Sequence, residues 1–253
     1  MNIGKLYAMG VGPGDKELVT LKAYRILSKT DVIAYPRKLN GDSYALSIVE
    51  EYLQEGVERV GLHFPMTRDK ELLKAKWEAI VQEVWEKLSS GKNVAFVTEG
   101  DPYLYSTAIH LTGLMKERHP EVEIEIIPGI SSINGAASKL DIPLADGDQQ
   151  LGIIPATYDM DAMRKALEEH DTVVFLKVAK VLTEVIGILK EMDLVDKATV
   201  VTKVGSPEEV IYEDVASLEG QELEYLTLMI VKKALKEHKS RQGTTGAGSR
   251  QGA

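Results

Sequence analysis

The chain has 253 residues, 44% of them hydrophobic and 27% charged, with 30 basic and 39 acidic side chains and no cysteine. That length allows one large domain or two smaller ones, each with its own core, and that composition excludes a disordered protein. Disulfides, thiolate catalysis and Cys-ligated zinc are excluded, and a net charge of −9 lacks the basic footprint of a general nucleic-acid binder.

Strand-like and helix-like segments alternate in chain order. Lys5–Val11 reads as a first strand, and it starts without a secretory apolar region. The Gly12-Pro13-Gly14-Asp15 turn follows, and Asp15 is expected to cap a helix through about Leu27, with Leu18, Leu21 and Ile26 on its buried side. A strand over Asp31–Tyr35, a helix near Ser43–Leu53 and a strand near Val57–His63 come next. Thr67 is the expected cap of a long helix from about Arg68 to Leu88, which buries Leu73, Trp77, Ile80, Val84 and Leu88 on one face and ends at Gly91.

The apolar run Val94-Ala95-Phe96-Val97 stops at Gly100-Asp101-Pro102. Pro102 holds its own φ and pushes Asp101 away from helical geometry, so this loop is a stiff bend at the carboxyl end of a strand. Open α/β sheets place their ligands at such ends. A helix from about Ser106 to Arg118, a strand Val122–Ile127, the segment Pro128-Gly129-Ile130-Ser131-Ser132 and a short helix Ile133–Lys139 complete a first unit. Such alternation predicts a largely parallel sheet with helices on its faces.

Asp141–Gly147 reads as a hinge. Beyond it come strands over Gln150–Pro155, Thr172–Lys177, Ala198–Val204 and Tyr225–Val231, helices over Met160–Glu168 and Lys180–Met192, and a hairpin return at Glu209–Glu213. The expected organisation is α/β: two α/β domains, 1–142 and 146–237, with a cleft between them. Residues 238–253 have no large apolar side chain, repeat Ser-Arg-Gln-Gly, and read as a disordered tail.

The opening Gly10-Val11-Gly12-Pro13-Gly14-Asp15 fails the Gly-x-Gly-x-x-Gly dinucleotide fingerprint, because Asp15 stands where the third glycine belongs. No P-loop motif occurs, and five histidines without His-x-His or His-Glu-x-x-His spacing point to no metal site.

Three motifs together resemble the tetrapyrrole (corrin and sirohaem) methylases. They are Met9–Asp15 with Leu18–Ala23 after it, Gly100-Asp101-Pro102 with Tyr105-Ser106-Thr107, and Pro128–Ser132 with Ile142-Pro143-Leu144. The likeness spans about residues 3–232. Tyr35-Pro36-Arg37-Lys38, Leu62–Met66, Leu176-Lys177-Val178 and Tyr225–Leu228 resemble the subgroup that methylates C20 of precorrin-2 or cobalt-factor II in cobalamin biosynthesis. Ser106-Thr107-Ala108 departs from the Gly-Arg-Gly of the sirohaem-type enzymes, and Thr227 stands where the subgroup has serine.

The resemblance implies a tetrapyrrole methylase-like fold rather than a Rossmann-type methyltransferase, S-adenosylmethionine as cofactor, a tetrapyrrole substrate and a homodimer; the absent cysteine, the lack of a membrane-spanning apolar stretch and the acidic charge point to a cytoplasmic protein with neither membrane nor nucleic acid as partner. By position the resemblance implies cofactor contacts at Gly100, Asp101, Leu104, Ser131, Ser132, Lys177, Val178, Leu226 and Thr227. In that assignment Leu104, Ile130, Ile153, Val178 and Leu226 supply apolar walls, and Asp101 accepts from the donor's ammonium group. Substrate contacts are expected at Gly12, Pro13, Gly14, Arg37, Lys38 and Lys177, with Arg68 and Lys203 as further cations for the substrate's carboxylates. The catalytic base is open among Asp15, His63 and Glu99. A methylase acting at another corrin position, a nicotinamide-dependent oxidoreductase and a non-catalytic tetrapyrrole carrier are the alternatives.

Overall fold

Short apolar runs bounded by glycine and proline turns become strands, of which central ones such as Val94–Thr98 are buried on both faces. In the computed structural model, which describes residues 2–39, 41–64, 69–156 and 159–233, ten such strands build two five-stranded sheets. The first contains β1 (Leu6–Gly10), β2 (Val32–Pro36), β3 (Glu58–Leu62), β4 (Val94–Thr98) and β5 (Ile124–Ile127) in the order β3-β2-β4-β1-β5. Every pairing in it is parallel. Side chains alternate across it. Val94 and Phe96 face α3 (Lys70–Ser89) and α4 (Ala108–Arg118), while Ala95 and Val97 face α1 (Leu21–Leu27) and α2 (Tyr44–Val49).

The second sheet contains β6 (Leu151–Pro155), β7 (Thr172–Leu176), β8 (Ala198–Thr202), β9 (Val210–Tyr212) and β10 (Thr227–Lys232), in the order β6-β7-β10-β8-β9. Only β6 and β7 are parallel; β10 runs antiparallel to both β7 and β8. The expectation of a largely parallel sheet therefore holds for the first lobe, and the second lobe is mixed. The parallel pair β6–β7 has a helix, Met160–Glu169, as its crossover, whereas β10 enters last, between β7 and β8, and runs against both. The return of Val210–Tyr212 against β8 matches the expected hairpin.

One face of the second sheet is covered by α6 (Met160–Glu169) and α7 (Leu182–Glu191). The other face packs against α5 (Ser132–Lys139), whose Ile133 and Ala136 join Val174, Val201, Leu228 and Ile230. Thus α5, which precedes the expected hinge, caps the core of the lobe that follows it.

Two local expectations change. The first helix is split. Asp15 caps only a 3-10 turn, Lys16–Leu18, then Val19 is extended and Thr20 caps α1 through Ala23 N. Ala23 and Leu27 are its buried residues, while Leu21 is 61% exposed. The second cap, Thr20, wins because its hydroxyl satisfies a free N–H one turn later. The long helix α3 is capped by Asp69, whose Oδ1 accepts from Glu71 N and Leu72 N. Thr67 lies outside the described residues, as do Arg68 and the tail 238–253.

Candidate functional site between the lobes

Parallel register decides where the three motifs go. Gly10 pairs with Thr98 and Met9 with Ile127, so the chains leaving β1, β4 and β5 emerge side by side from one edge. They are then laced together. Gly100 N donates to Gly12 O at 2.8 Å, and the two glycines form an isolated antiparallel bridge. A Cβ on Gly129 would stand 2.1 Å from Gly100 O, and one on Gly10 would stand 2.2 Å from the same oxygen. No side chain fits at either place, so the glycines are required by close backbone approach.

Asp101 fastens this crossing. Its Oδ1 accepts from Tyr103 N at 2.8 Å and its Oδ2 from Gly129 N at 3.1 Å. Both carboxylate oxygens thus serve the loops, so the assigned acceptance from a donor ammonium has to share an oxygen already in use. Ser106 Oγ lies 3.0 Å from Thr98 Oγ1 and accepts from Ala108 N, which turns the chain into α4. Ser131 caps α5: its Oγ donates to Asn134 Oδ1 and accepts from Asn134 N. Its hydroxyl is spoken for by the helix, whereas Ser132 is half-buried beside it.

The second lobe faces these loops with an apolar surface. Leu104, Ile153 and Leu176 pack on the same cluster as α5, and Ile130 is 37% exposed at the rim. Leu226 is half-buried, and its carbonyl accepts from Lys203 N at 2.8 Å. Of the five expected walls, Leu104 and Ile153 share one cluster, and Ile130 and Leu226 keep solvent-accessible surface. Val178 does not. It is fully buried in the cluster under α6 and α7, on the opposite face of the sheet, because the chain reverses hand at Lys177, whose φ is +59°. Thr227 is also buried, with its Oγ1 donating to Glu224 O, so its hydroxyl is committed to the chain. Lys177 itself is exposed at the carboxyl end of β7.

The Pro13–Gly14 turn, expected as a substrate rim, is pressed into the lobe junction. Gly12, Pro13 and Gly14 are all buried. A Cβ on Gly14 would meet Tyr44 Oη at 2.5 Å, Val204 O at 2.6 Å and Ser206 N at 2.8 Å. Tyr44 Oη donates to Pro13 O at 3.0 Å, and burial pushes that phenol above its usual pKa. The opening motif acts here as a joint between lobes. Tyr44 was not singled out from sequence, where one tyrosine in an amphipathic helix carries no signal.

Of the three candidate bases, Asp15 is the cap already described, with Oδ1 accepting from Glu17 N at 2.9 Å, and it abuts Gly205 at the lobe junction. His63 is exposed beyond β3, an edge strand separated from β4 by β2. Glu99 directly precedes the Gly100 bend. It keeps some solvent-accessible surface, yet protein crowds it, and desolvation raises its carboxyl above the usual range despite the opposing field of Lys38. Lys38 and Glu99 are thereby brought together at the ends of β2 and β4. Arg37 and Lys38 are both exposed. Lys203 is not free for a substrate carboxylate: it pairs with Glu208 and, at 3.4 Å, with Glu224, and these bonds raise its pKa. Among the described residues no group of three or more His, Asp or Glu side chains is placed to hold a metal ion.

Residues 5–219 match the family model of the Tetrapyrrole (Corrin/Porphyrin) Methylases. A relative from Methanocaldococcus jannaschii, named a probable cobalt-precorrin-2 C(20)-methyltransferase, is 38% identical over 91% of this chain and 97% of its own. One from Salmonella typhimurium, named cobalt-precorrin-2 C(20)-methyltransferase, is 34% identical over 91% and 97%. Among solved structures, a cobalt precorrin-4 methyltransferase superposes with a TM-score of 0.71 at 22% identity, over 90% of this chain and 94% of that one. Uroporphyrin-III C-methyltransferase from Thermus thermophilus, complexed with S-adenyl homocysteine, gives 0.65 at 22% identity, over 91% and 98%. Motifs, crossing loops and family match agree: the chain belongs to the tetrapyrrole (corrin/porphyrin) methylases.

Proposed function

We propose that the chain transfers a methyl group from S-adenosylmethionine to C20 of precorrin-2 or its cobalt form, in cobalamin biosynthesis. The observation that carries this reading is the convergence of the Gly10, Gly100 and Gly129 backbones opposite an apolar wall from the second lobe. The two relatives at 38% and 34% identity, both named for C20 methylation, support the position.

The groove suits an adenosyl sulfonium. A Cβ on Gly100 would touch the Ser131 Cα at 3.7 Å and Ser132 N at 3.9 Å, so the bend lies directly against the start of the α5 helix. Leu104, Ile130, Ile153 and Leu226 give apolar surface on either side, as a nucleoside site needs. When bound, the sulfonium supplies an electrophilic methyl: the macrocycle's electron pair forms the new C–C bond, and the pair of the broken S–CH3 bond stays on sulfur. The chain's task is mostly placement at near-attack distance and exclusion of water. Asp101 holds the bend rigid, Gly100 and Ser132 line the donor side, and Arg37, Lys38 and Lys177 meet the macrocycle's carboxylates. A carboxylate oxygen of Glu99 takes the proton that leaves the methylated carbon. Its raised pKa brings a carboxylate closer to the operating pH, where a general base is most effective.

In this reading domains 1–142 and 146–237 form the two sides of the groove, and the protein acts in the cytoplasm as a homodimer. No helix among the described residues is long and apolar enough to cross a membrane. Incubation with S-adenosylmethionine and either precorrin-2 or its cobalt form tests the assignment. One added methyl by mass spectrometry, placed at C20 by NMR, is the expected result, and a methyl at another carbon overturns the position. A chain that binds neither S-adenosylmethionine nor S-adenosylhomocysteine in calorimetry overturns the activity.

A further inference from the structure

We infer that Tyr105 is a positioning residue, a latch that ties the Gly100–Pro102 bend to the second lobe and so governs how long the methyl donor stays in the groove. The inference rests on the donor site proposed above and adds to it a residue and a kinetic role.

Two tyrosines lie at the lobe junction, and they differ in kind. Tyr44 bonds within its own lobe, to Pro13 O at 3.0 Å, beside the point where Gly14 meets Val204 and Ser206. Tyr105 is 44% exposed, and its Oη donates to the carbonyl of Ile153 over a longer 3.4 Å. Ile153 lies on β6, the edge strand of the second sheet, whose outward main-chain groups have no strand partner. The tyrosine hydroxyl therefore occupies one acceptor on an open sheet edge, where water can take its place each time the bond opens.

The backbone at Tyr105 is left-handed, with φ +53°. A bulky L-residue rarely adopts that conformation, and such residues gather at functional sites. Here the reversal sends neighbouring side chains in useful directions. Leu104 turns onto the apolar cluster of the second sheet, beside Ile153 and Leu176, and Ser106 turns back to Thr98 of the first. The bend therefore touches both lobes: Ser106 serves the first, where it also turns the chain into α4, and Leu104 and Tyr105 reach the second. Leu104 is one wall of the donor groove, and Ile153 is another. A bond from Tyr105 to Ile153 thus fixes the distance between two walls that grip the same ligand.

A latch of this kind acts on release more than on encounter. The test is S-adenosylhomocysteine binding to the full-length protein and to Tyr105→Phe and Tyr105→Gly, by calorimetry and stopped-flow. The phenylalanine variant keeps the ring and loses the hydroxyl bond. The glycine variant accepts the left-handed backbone without strain and loses the ring. We expect Tyr105→Phe to dissociate about threefold to tenfold faster, as loss of one net hydrogen bond predicts, with the association rate within about twofold and the melting temperature unchanged. Tyr105→Gly is expected to release faster still. In steady state the donor KM rises by more than kcat falls. Equal dissociation rates for wild type and both variants overturn the latch. So does a loss of affinity that tracks a lowered melting temperature, since a merely structural tyrosine gives that result. Failure of the wild type to bind at all strikes the proposed function instead, and the two failures are separately visible.

Discussion

The two lobes use the same number of strands for different ends. In the first, all pairings are parallel, so every connection crosses back over a face and every carboxyl-terminal loop opens on the same edge. Three of those loops bear the motifs, and their backbones cross within contact distance. In the second, β10 runs against its neighbours, which spreads the loops over both edges and leaves apolar faces as its main contribution. The parallel lobe supplies loops held rigid by one another. The mixed lobe supplies a wall, and one of its faces is finished by α5 from the preceding unit.

This contrast can be broken at the crossing. Gly129→Ala places a Cβ 2.1 Å from Gly100 O and 2.7 Å from the Gly10 Cα, and backbone cannot swing aside as a side chain can. We expect a loss of about 3 kcal/mol or more, the upper range for overpacking, and a melting temperature lower by about 6–12 °C. A variant that melts as wild type shows that the loops are not mutually rigid.

Asp101→Ala removes the acceptor of two backbone N–H groups, Tyr103 N and Gly129 N. The expected cost is about 2 kcal/mol in denaturant unfolding, together with at least about tenfold weaker S-adenosylhomocysteine binding, because the bend loosens. Weaker binding with unchanged stability instead assigns Asp101 to the ligand and not to the loops.

Glu99→Gln sharpens the comparison through pH. Burial raises the folded-state pKa of Glu99, so the folded protein holds that proton more tightly than the unfolded chain does. Stability is therefore lost as pH rises from the ordinary glutamate range of about 4.3 through the raised value, and the penalty is complete above it. The glutamine variant escapes this. It should be more stable than wild type near pH 8, with the gap closing below about pH 4, and its turnover should fall at every pH. A gap independent of pH removes the desolvated carboxylate from the account.

The smallest effect belongs to the second lobe. Gly187 lies inside α7, and a Cβ there meets nothing within 4 Å. Gly187→Ala is expected to raise stability by about 0.5–1 kcal/mol, the helix preference of alanine over glycine. Destabilisation would mean that the wall is as tightly specified as the crossing.

Most strands and helices were legible because their signals are local. Val94–Val97 has the length and apolarity of a doubly buried strand, and the Trp77, Ile80, Val84 and Leu88 spacing marks the face that α3 buries. The candidate residues were legible unevenly. Gly100 and Ser132 are brought within contact distance, Asp101 bonds to the Gly129 loop, and Leu104 packs on the core of the second lobe. Val178 was assigned a wall from the resemblance at Leu176-Lys177-Val178, and no local pattern announces that the chain turns left-handed at Lys177 and that valine enters the far core. Lys203 read as an available cation, but its partners Glu208 and Glu224 arrive from the β8–β9 and β9–β10 connections. Tyr105 was invisible as a bridge and Tyr44 as a support of the opening turn, since each reaches an acceptor that lies far away along the chain.

The order of apolar runs, breakers and caps was enough to specify two α/β lobes, the elements within them and the loops that hold chemistry, because periodicity and turn preference act over a few residues. Pairing direction in the second sheet, the face each strand-end residue turns to, and which lobe α5 covers were decided only by tertiary packing. Those choices depend on which distant surfaces can exclude water together, and no short stretch of chain contains that information.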